Sequence, residues 1–204
     1  SIDDFYKTRK ERFLLSKRIH PFLMTRGVPG THDINMMLDF FKRVKGKKFR
    51  SLKLPKFNKA TDDRYNKKSW YFLKKKPDII IFEGWCVGAK AEKNNTLKQS
   101  VNSMEKLKDT KLAWRRYVNE LLKTKYKQLY DQLNCLLYIK SSNFTLLKKW
   151  RIKQETKLRI KNKRSNKFKI MSDREVINFM QTYQRVTQSM FKYVPKYASI
   201  ILNL

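Results

Sequence analysis

Three short runs in the chain are apolar almost without interruption. They are Ile79 to Phe82 inside PDIIIFEGWCVGAK, the stretch CLLYIK from Cys135 to Lys140, and YASIILNL from Tyr197 to Leu204. A strand that alternates polar and apolar residues can keep one face in water, whereas Ile79 to Phe82 reads as a strand buried on both faces and the other two runs as further apolar strands. Such strands need a layer above and a layer below, which in soluble proteins means helices on both sides of a mostly parallel sheet. Segments with helical periodicity lie between the runs, so the order is strand, helix, strand, helix, strand. That alternation predicts an α/β fold with a parallel sheet flanked by helices. No low-complexity linker divides it, so one domain is expected over residues 1–204.

The helical segments carry their own start and stop signals. Thr8 and Glu11 have the spacing of a capping box, opening a short helix that ends near His20-Pro21. TRGVPGTHD, from Thr25 to Asp33, holds two glycines and a proline and is predicted to be a loop. Ile34, Met37, Leu38 and Phe41 recur at helical spacing, and a short extended piece, RSLKLPKF, and a polar loop, NKATDDR, follow. A less regular stretch over 89–109 precedes a long amphipathic helix marked by Trp114, Tyr117, Val118, Leu121, Leu122 and Leu129. Phe144, Leu147 and Trp150 mark another helix, leading into a very basic stretch over 157–169. Ser172 and Glu175 form a second capping box before Val176, Phe179, Met180 and Tyr183, and Pro195 ends that helix. Trp114 and Trp150 are read as core anchors. Ile2 and Asp3 read as the carboxyl end of a strand that has no beginning; either upstream sequence is missing or Ser1 follows a removed initiator Met.

Charge limits the function classes less than its size suggests. Lys and Arg number 49 against 17 Asp and Glu, a formal net charge of +32. That favours a polyanionic partner in general. The basic residues occur in nearly every segment rather than in one arm, which fits nonspecific nucleic-acid binding at most. Two distant cysteines and two histidines supply no zinc set and no CxxC motif, which fits a reducing, cytoplasmic setting. No run reaches membrane-spanning length.

Candidate chemistry gathers at strand ends and loops. Glu83-Gly84 follows the first apolar run, and a carboxylate where a buried strand leaves the sheet either turns to solvent or meets a cation or ligand. An acid there suits magnesium contact in phosphoryl transfer, directly or through water. Asp3 and Asp4 are either turn acids or a general base toward a hydroxyl together with a magnesium-orienting acid. Arg26, His32 and Asp33 surround the glycines of one loop, and Asp62, Asp63 and Arg64 form a second cluster. Arginine suits bidentate capture of carboxylate or phosphate, and local ion pairing is the other reading. Arg151, Lys153 and Arg159 lie either on a solvated helix face or on a lid that closes over a triphosphate. No G-x-x-x-x-G-K-[ST] phosphate loop occurs in the 204 residues.

Taken together, SIDDFYKT, HPFLMTRGVPGTHD, LPKFNKATDDR, PDIIIFEGWCVGA, SVNSMEKLKD, WRRYVNELL, WRIKQE and MSDREVINFMQTYQRVTQ resemble the D-glycerate 3-kinase family. These are P-loop kinases related to uridine kinase, phosphoribulokinase and pantothenate kinase. The resemblance implies a parallel sheet with flanking helices, with a basic lid around 150–170. It also implies ATP and magnesium as cofactors and phosphorylation of a small hydroxy acid, D-glycerate to 3-phosphoglycerate. Asp3 then matches the acid that accepts the substrate hydroxyl proton, and Glu83 the Walker B-type glutamate near magnesium. Asp4, Tyr6, Arg26, His32, Asp62, Asp63 and Arg64 match segments lining the acceptor pocket, and Arg151 and Arg159 fall in the lid. Two departures stand out: the family's first strand and Walker A loop lie upstream of SIDDFY, and Asn58 stands where an Asp is usual. Without the phosphate loop this chain alone is expected to bind ATP poorly and to expose apolar surface, and a degenerate kinase kept as a binding partner is the alternative to an active one.

Overall fold

The computed structural model describes residues 1–161 and 171–204. In chain order the helices and strands are α1 (Arg9–Arg18), α2 (Ile34–Lys45), β1 (Leu52–Leu54), β2 (Phe57–Asn58), β3 (Asp63–Arg64), β4 (Tyr71–Leu73), α3 (Ser103–Lys108), α4 (Ala113–Leu121), α5 (Lys127–Tyr130), β5 (Leu137–Lys140), α6 (Phe144–Lys161), α7 (Asp173–Tyr193) and β6 (Ile200–Asn203). The strands pair in twos. β5 and β6 run parallel, with Leu137 opposite Ile200. β1 with β4 and β2 with β3 are antiparallel. The described residues group into two compact units, one of residues 1–87 with 113–134 and one of 88–112 with 135–204.

The first unit is built on α1, α2, the two antiparallel pairs, α4 and α5. Thr8 caps α1, with its hydroxyl accepting from Glu11 N–H while the Glu11 carboxylate accepts from Thr8 N–H, so the capping box read from the sequence is closed. Asp33 caps α2 by accepting from Met36 N–H at 3.2 Å. The inward face of α2 is Ile34, Met37, Phe41 and Val44, the i, i+3, i+7 spacing of one helical stripe. Trp114, Val118, Leu122, Tyr126 and Leu129 bury the matching stripe of the α4–α5 segment. A single π-helical turn, Leu122–Tyr126, joins α4 to α5.

The second unit packs α6 on α7 around Phe144, Val176 and Met180, with Leu147, Ile152 and Met171 against them. Ser172 and Glu175 close the second capping box. A buried bidentate ion pair joins α3 to α7: Arg185 donates to Glu105 at 2.8 and 2.7 Å and to Glu92 at 3.0 Å. The basic lid expected around 150–170 falls partly on residues 162–170, outside the described residues.

Three expectations are corrected. Residues 77–84 form no strand, and Ile79 and Ile81 are 81% and 87% exposed rather than buried. A strand needs a hydrogen-bonded neighbour, and among the described residues none pairs with this run. Ile2 and Asp3 belong to a 3₁₀ turn, Ile2–Phe5, and not to a strand end. Ile2 N–H donates to Glu83 C=O at 2.9 Å and ties this turn to the apolar run. Trp150 is 38% exposed and anchors no core. Helical phase explains this: Phe144, Arg151 and Glu155 share the inward face of α6, and Trp150 points about 100° away from its neighbour Arg151.

Candidate functional site

Short backbone bonds bring the candidate residues of the first unit together. Lys7 N–H donates to Thr31 C=O at 2.9 Å and Asp33 N–H donates to Phe5 C=O at 2.7 Å. The SIDDFYKT segment is thereby stitched to the end of the glycine loop, and the Tyr6 and His32 rings stack with centroids 4.5 Å apart. Buried loops must satisfy their own polar groups. Here Thr31 does so: its hydroxyl accepts from Gly27 N–H and donates to Val28 C=O. Gly30 adopts a left-handed φ of +104°, and a Cβ there would meet the Tyr117 ring at 2.7 Å. Both conformation and space therefore require glycine.

Asp3 is the centre of the cluster. Its carboxylate takes a hydrogen bond and ion pair from Lys59 Nζ at 2.8 Å. Burial by itself would raise its pKa. The Lys59 ammonium and a hydrogen bond from the Tyr6 hydroxyl outweigh that and hold it below the usual carboxylate value, so Asp3 is ionised at neutral pH. His32 is only 1% exposed. Burial pushes its pKa down to about 3, which leaves the imidazole neutral. Its Nδ1 lies 2.7 Å from the Tyr126 hydroxyl, and its Nε2 has no hydrogen-bond partner among the described residues. Leaving a buried polar group unpaired costs about 1–3 kcal/mol, so this atom asks for a partner that the described residues do not supply.

Glu83 is exposed at the end of its run. Gly84 beside it makes room for Ile2, whose side chain a Cβ would meet at 2.1 Å. Asp4 accepts from Phe57 N–H at 3.2 Å, which ties the 3₁₀ turn to β2.

The second loop cluster is held by a residue that sequence reasoning missed. Arg12 is 0% exposed and donates to the carbonyls of Lys7, Met24 and Asp62 as well as pairing with the Asp62 carboxylate at 2.9 Å. Asp62 also pairs with Arg26 and adopts a left-handed φ of 57°. Asp63 accepts from Arg9 N–H and Arg64 N–H, while Arg64 donates to Tyr6 C=O and reaches Asp33 at 3.5 Å. So among the described residues neither Asp62 nor Asp63 forms an ion pair with the Arg64 guanidinium; the three residues bind the β2–β3 hairpin to α1 and to the glycine loop. Lys59 was also missed, as was Tyr126. A lone lysine in a lysine-rich chain and a tyrosine in an amphipathic helix give no signal of their own.

Arg151 and Arg159 belong to the second unit. Arg151 pairs with Glu155 and Gln154, and Arg159 pairs with Asp173. Both are on α6, as expected of the basic helix. Among the described residues, no three His, Cys, Asp or Glu side chains converge to hold a metal ion by themselves. No helix among them is long and apolar enough to cross a membrane.

No family model matches the chain. A curated protein from Arabidopsis thaliana, "D-glycerate 3-kinase, chloroplastic", is 25% identical over 191 residues, which is 90% of this chain. The chain spans 38% of that relative's length. The solved D-glycerate 3-kinase from Cryptococcus neoformans superposes with a TM-score of 0.73 at 25% identity, over 94% of this chain and 67% of its own. The solved YGR205w protein also gives 0.73, at 24% identity, over 100% of this chain and 71% of its own, and shares the fold. The α/β, P-loop-kinase-like fold expected from the sequence is thus the fold found, and the resemblance to the D-glycerate 3-kinases holds in sequence and structure.

Proposed function

We propose that this chain, a relative of the D-glycerate 3-kinases in sequence and fold, supplies the acceptor side of an ATP-dependent kinase that phosphorylates a small hydroxy acid, D-glycerate first among them. The observation that carries the reading is Asp3: a carboxylate kept ionised by Lys59 and Tyr6, next to a neutral buried histidine with an unused ring nitrogen. Phosphoryl transfer asks little covalent chemistry of a protein and much positioning. Asp3 accepts a hydrogen bond from the substrate hydroxyl and takes its proton as the oxygen bonds to the γ-phosphorus, while the bond from that phosphorus to the β,γ-bridging oxygen breaks and ADP leaves with its electron pair. His32 offers a donor to an oxygen of the acceptor. Lys59 balances the charge that builds as anions gather. The low pKa of Asp3 suits a base that takes the proton late, once bonding to phosphorus has acidified the hydroxyl.

Magnesium keeps several waters and uses one or two carboxylates beside phosphate oxygens, and the hard oxygens of Asp3 and Glu83 suit that role. Bound there, it would neutralise phosphate charge. The five glycines of the chain form no phosphate-cradling motif. We therefore expect this chain by itself to bind ATP weakly. Two thiols with no disulfide between them, Cys86 buried and Cys135 exposed, fit a reducing cytoplasmic setting.

The test is Asp3→Asn in the full-length protein, measured as ADP formed from ATP with and without D-glycerate. Loss of a positioned base lowers acceptor-dependent turnover by roughly 10²–10⁴ with folding intact. Undiminished turnover removes Asp3 from that role. The charge of +32 supports one other reading, nonspecific binding to nucleic acid, which would weaken steeply across a salt series.

A further inference from the structure

The least expected residue near the acceptor cluster is Tyr126. It ends the single π-helical turn between α4 and α5. Such turns insert one residue into a helix and re-aim the side chains around it, often at functional sites. The re-aimed side chain is fully buried, and its hydroxyl lies between two groups of the glycine loop: Gly30 N–H donates to it at 2.9 Å, and His32 Nδ1 lies 2.7 Å away.

The proton on this hydroxyl can be placed by counting. Suppose His32 Nδ1 carried the imidazole hydrogen. The phenol oxygen would then accept twice, from Gly30 and from His32, its own hydrogen would have no acceptor among the described residues, and Nε2 would be a bare lone pair without a donor. Two buried groups would go unsatisfied. Suppose instead that Tyr126 donates to Nδ1. Gly30 N–H, the phenol oxygen, the phenol hydrogen and Nδ1 are then all satisfied, and only Nε2–H remains over. Buried polar groups are rarely left unpaired, so the second arrangement wins. The bond to one ring nitrogen sets the state of the other.

We infer that Tyr126 is a positioning residue that locks His32 in the Nε2–H tautomer, so that His32 presents a neutral hydrogen-bond donor to an acceptor oxygen of the bound hydroxy acid. The inference rests on the acceptor-site reading above. A neutral donor discriminates: it favours an oxygen with a free lone pair and gives nothing to a cationic or purely donating group. Tyr6, stacked on the same ring, fixes its plane, and Tyr126 fixes which edge carries the hydrogen.

The chain holds only two histidines, His20 and His32, which makes the tautomer directly readable. In ¹⁵N-histidine-labelled protein, long-range ¹H–¹⁵N correlation separates a protonated ring nitrogen from a bare one. His20→Asn, which keeps an acceptor for the turn His20 caps, assigns the remaining pattern to His32. A bare Nδ1 with a protonated Nε2 is expected. A protonated Nδ1 in the unsubstituted protein overturns the proposal, whatever any variant does. Tyr126→Phe is expected to mix the two tautomers. In the full-length enzyme it should raise KM for D-glycerate about tenfold, the loss of one hydrogen bond, with KM for ATP unchanged. A tautomer unmoved by Tyr126→Phe also overturns it. Adding D-glycerate to the labelled protein tests the underlying reading separately: no response at Nε2, with the tautomer as stated, leaves the lock standing and removes the acceptor role.

Discussion

At the scale of single residues, the site is a set of protonation states fixed by neighbours. His32 shows how far burial reaches. In an unfolded chain it would titrate near 6.5, and in the folded protein near 3. The folded state therefore binds fewer protons than the unfolded state anywhere between those values. Stability present above pH 6.5 is lost as pH falls from there toward the folded value of about 3. Asp3 adds its own loss only at lower pH, below 3.8, because its folded pKa is depressed from there. Urea denaturation at pH 7, 6, 5 and 4 checks this, and in His32→Gln the slope between pH 6 and 4 should flatten. An equal slope in the variant would mean other groups set the acid limit. Little of this was legible in the sequence. Asp3, His32 and Glu83 could be picked out by residue type and neighbourhood, but Lys59, Tyr126 and Arg12 act through contacts made 56, 94 and 50 positions away along the chain. Local pattern carries no trace of such distances.

At the scale of elements, the sequence was readable wherever local chemistry decides. Both capping boxes closed, α2 buried the stripe its spacing marked, and CLLYIK paired in parallel with the strand in YASIILNL. It was misleading where an element depends on a partner, as at Ile79 to Phe82. Two of the motif strings also receive a physical explanation. SVNSMEKLKD contributes Glu105, and MSDREVINFMQTYQRVTQ contributes Arg185, and the two meet in a buried bidentate pair. Their pattern thus has a structural cause. Removing one partner strands the other charge in the interior. Glu105→Ala should destabilise the second unit by about 3 kcal/mol in chemical denaturation, with Glu92 retaining part of the compensation. Glu105→Leu with Arg185→Met should recover much of the loss. A loss of under about 0.5 kcal/mol for Glu105→Ala would show that the pair contributes nothing net.

At the scale of the whole molecule, the apolar surface is the dominant fact. Ile79 and Ile81 in one unit, and Leu137, Ile139, Ile200 and Leu202 in the other, are all exposed. Scattered apolar residues on a surface need no explanation, but contiguous ones invite association. Ile79→Lys with Ile81→Lys should leave the stability of this chain within about 0.5 kcal/mol, since neither side chain is buried. The same pair should reduce self-association in sedimentation velocity at high salt, where the charge of +32 no longer keeps copies apart. Unchanged association would place the sticky surface elsewhere, on β5 and β6.

The close approach of Gly84 to Ile2 has a consequence for how such a chain can drift. Any side chain at 84 would displace Ile2, and Asp3 is the next residue along. A mutation at this position therefore acts, through Ile2, as a dislocation of an acid it never touches. Of the two residues in Glu83-Gly84, the one with no side chain at all is the one whose exchange must move a neighbour.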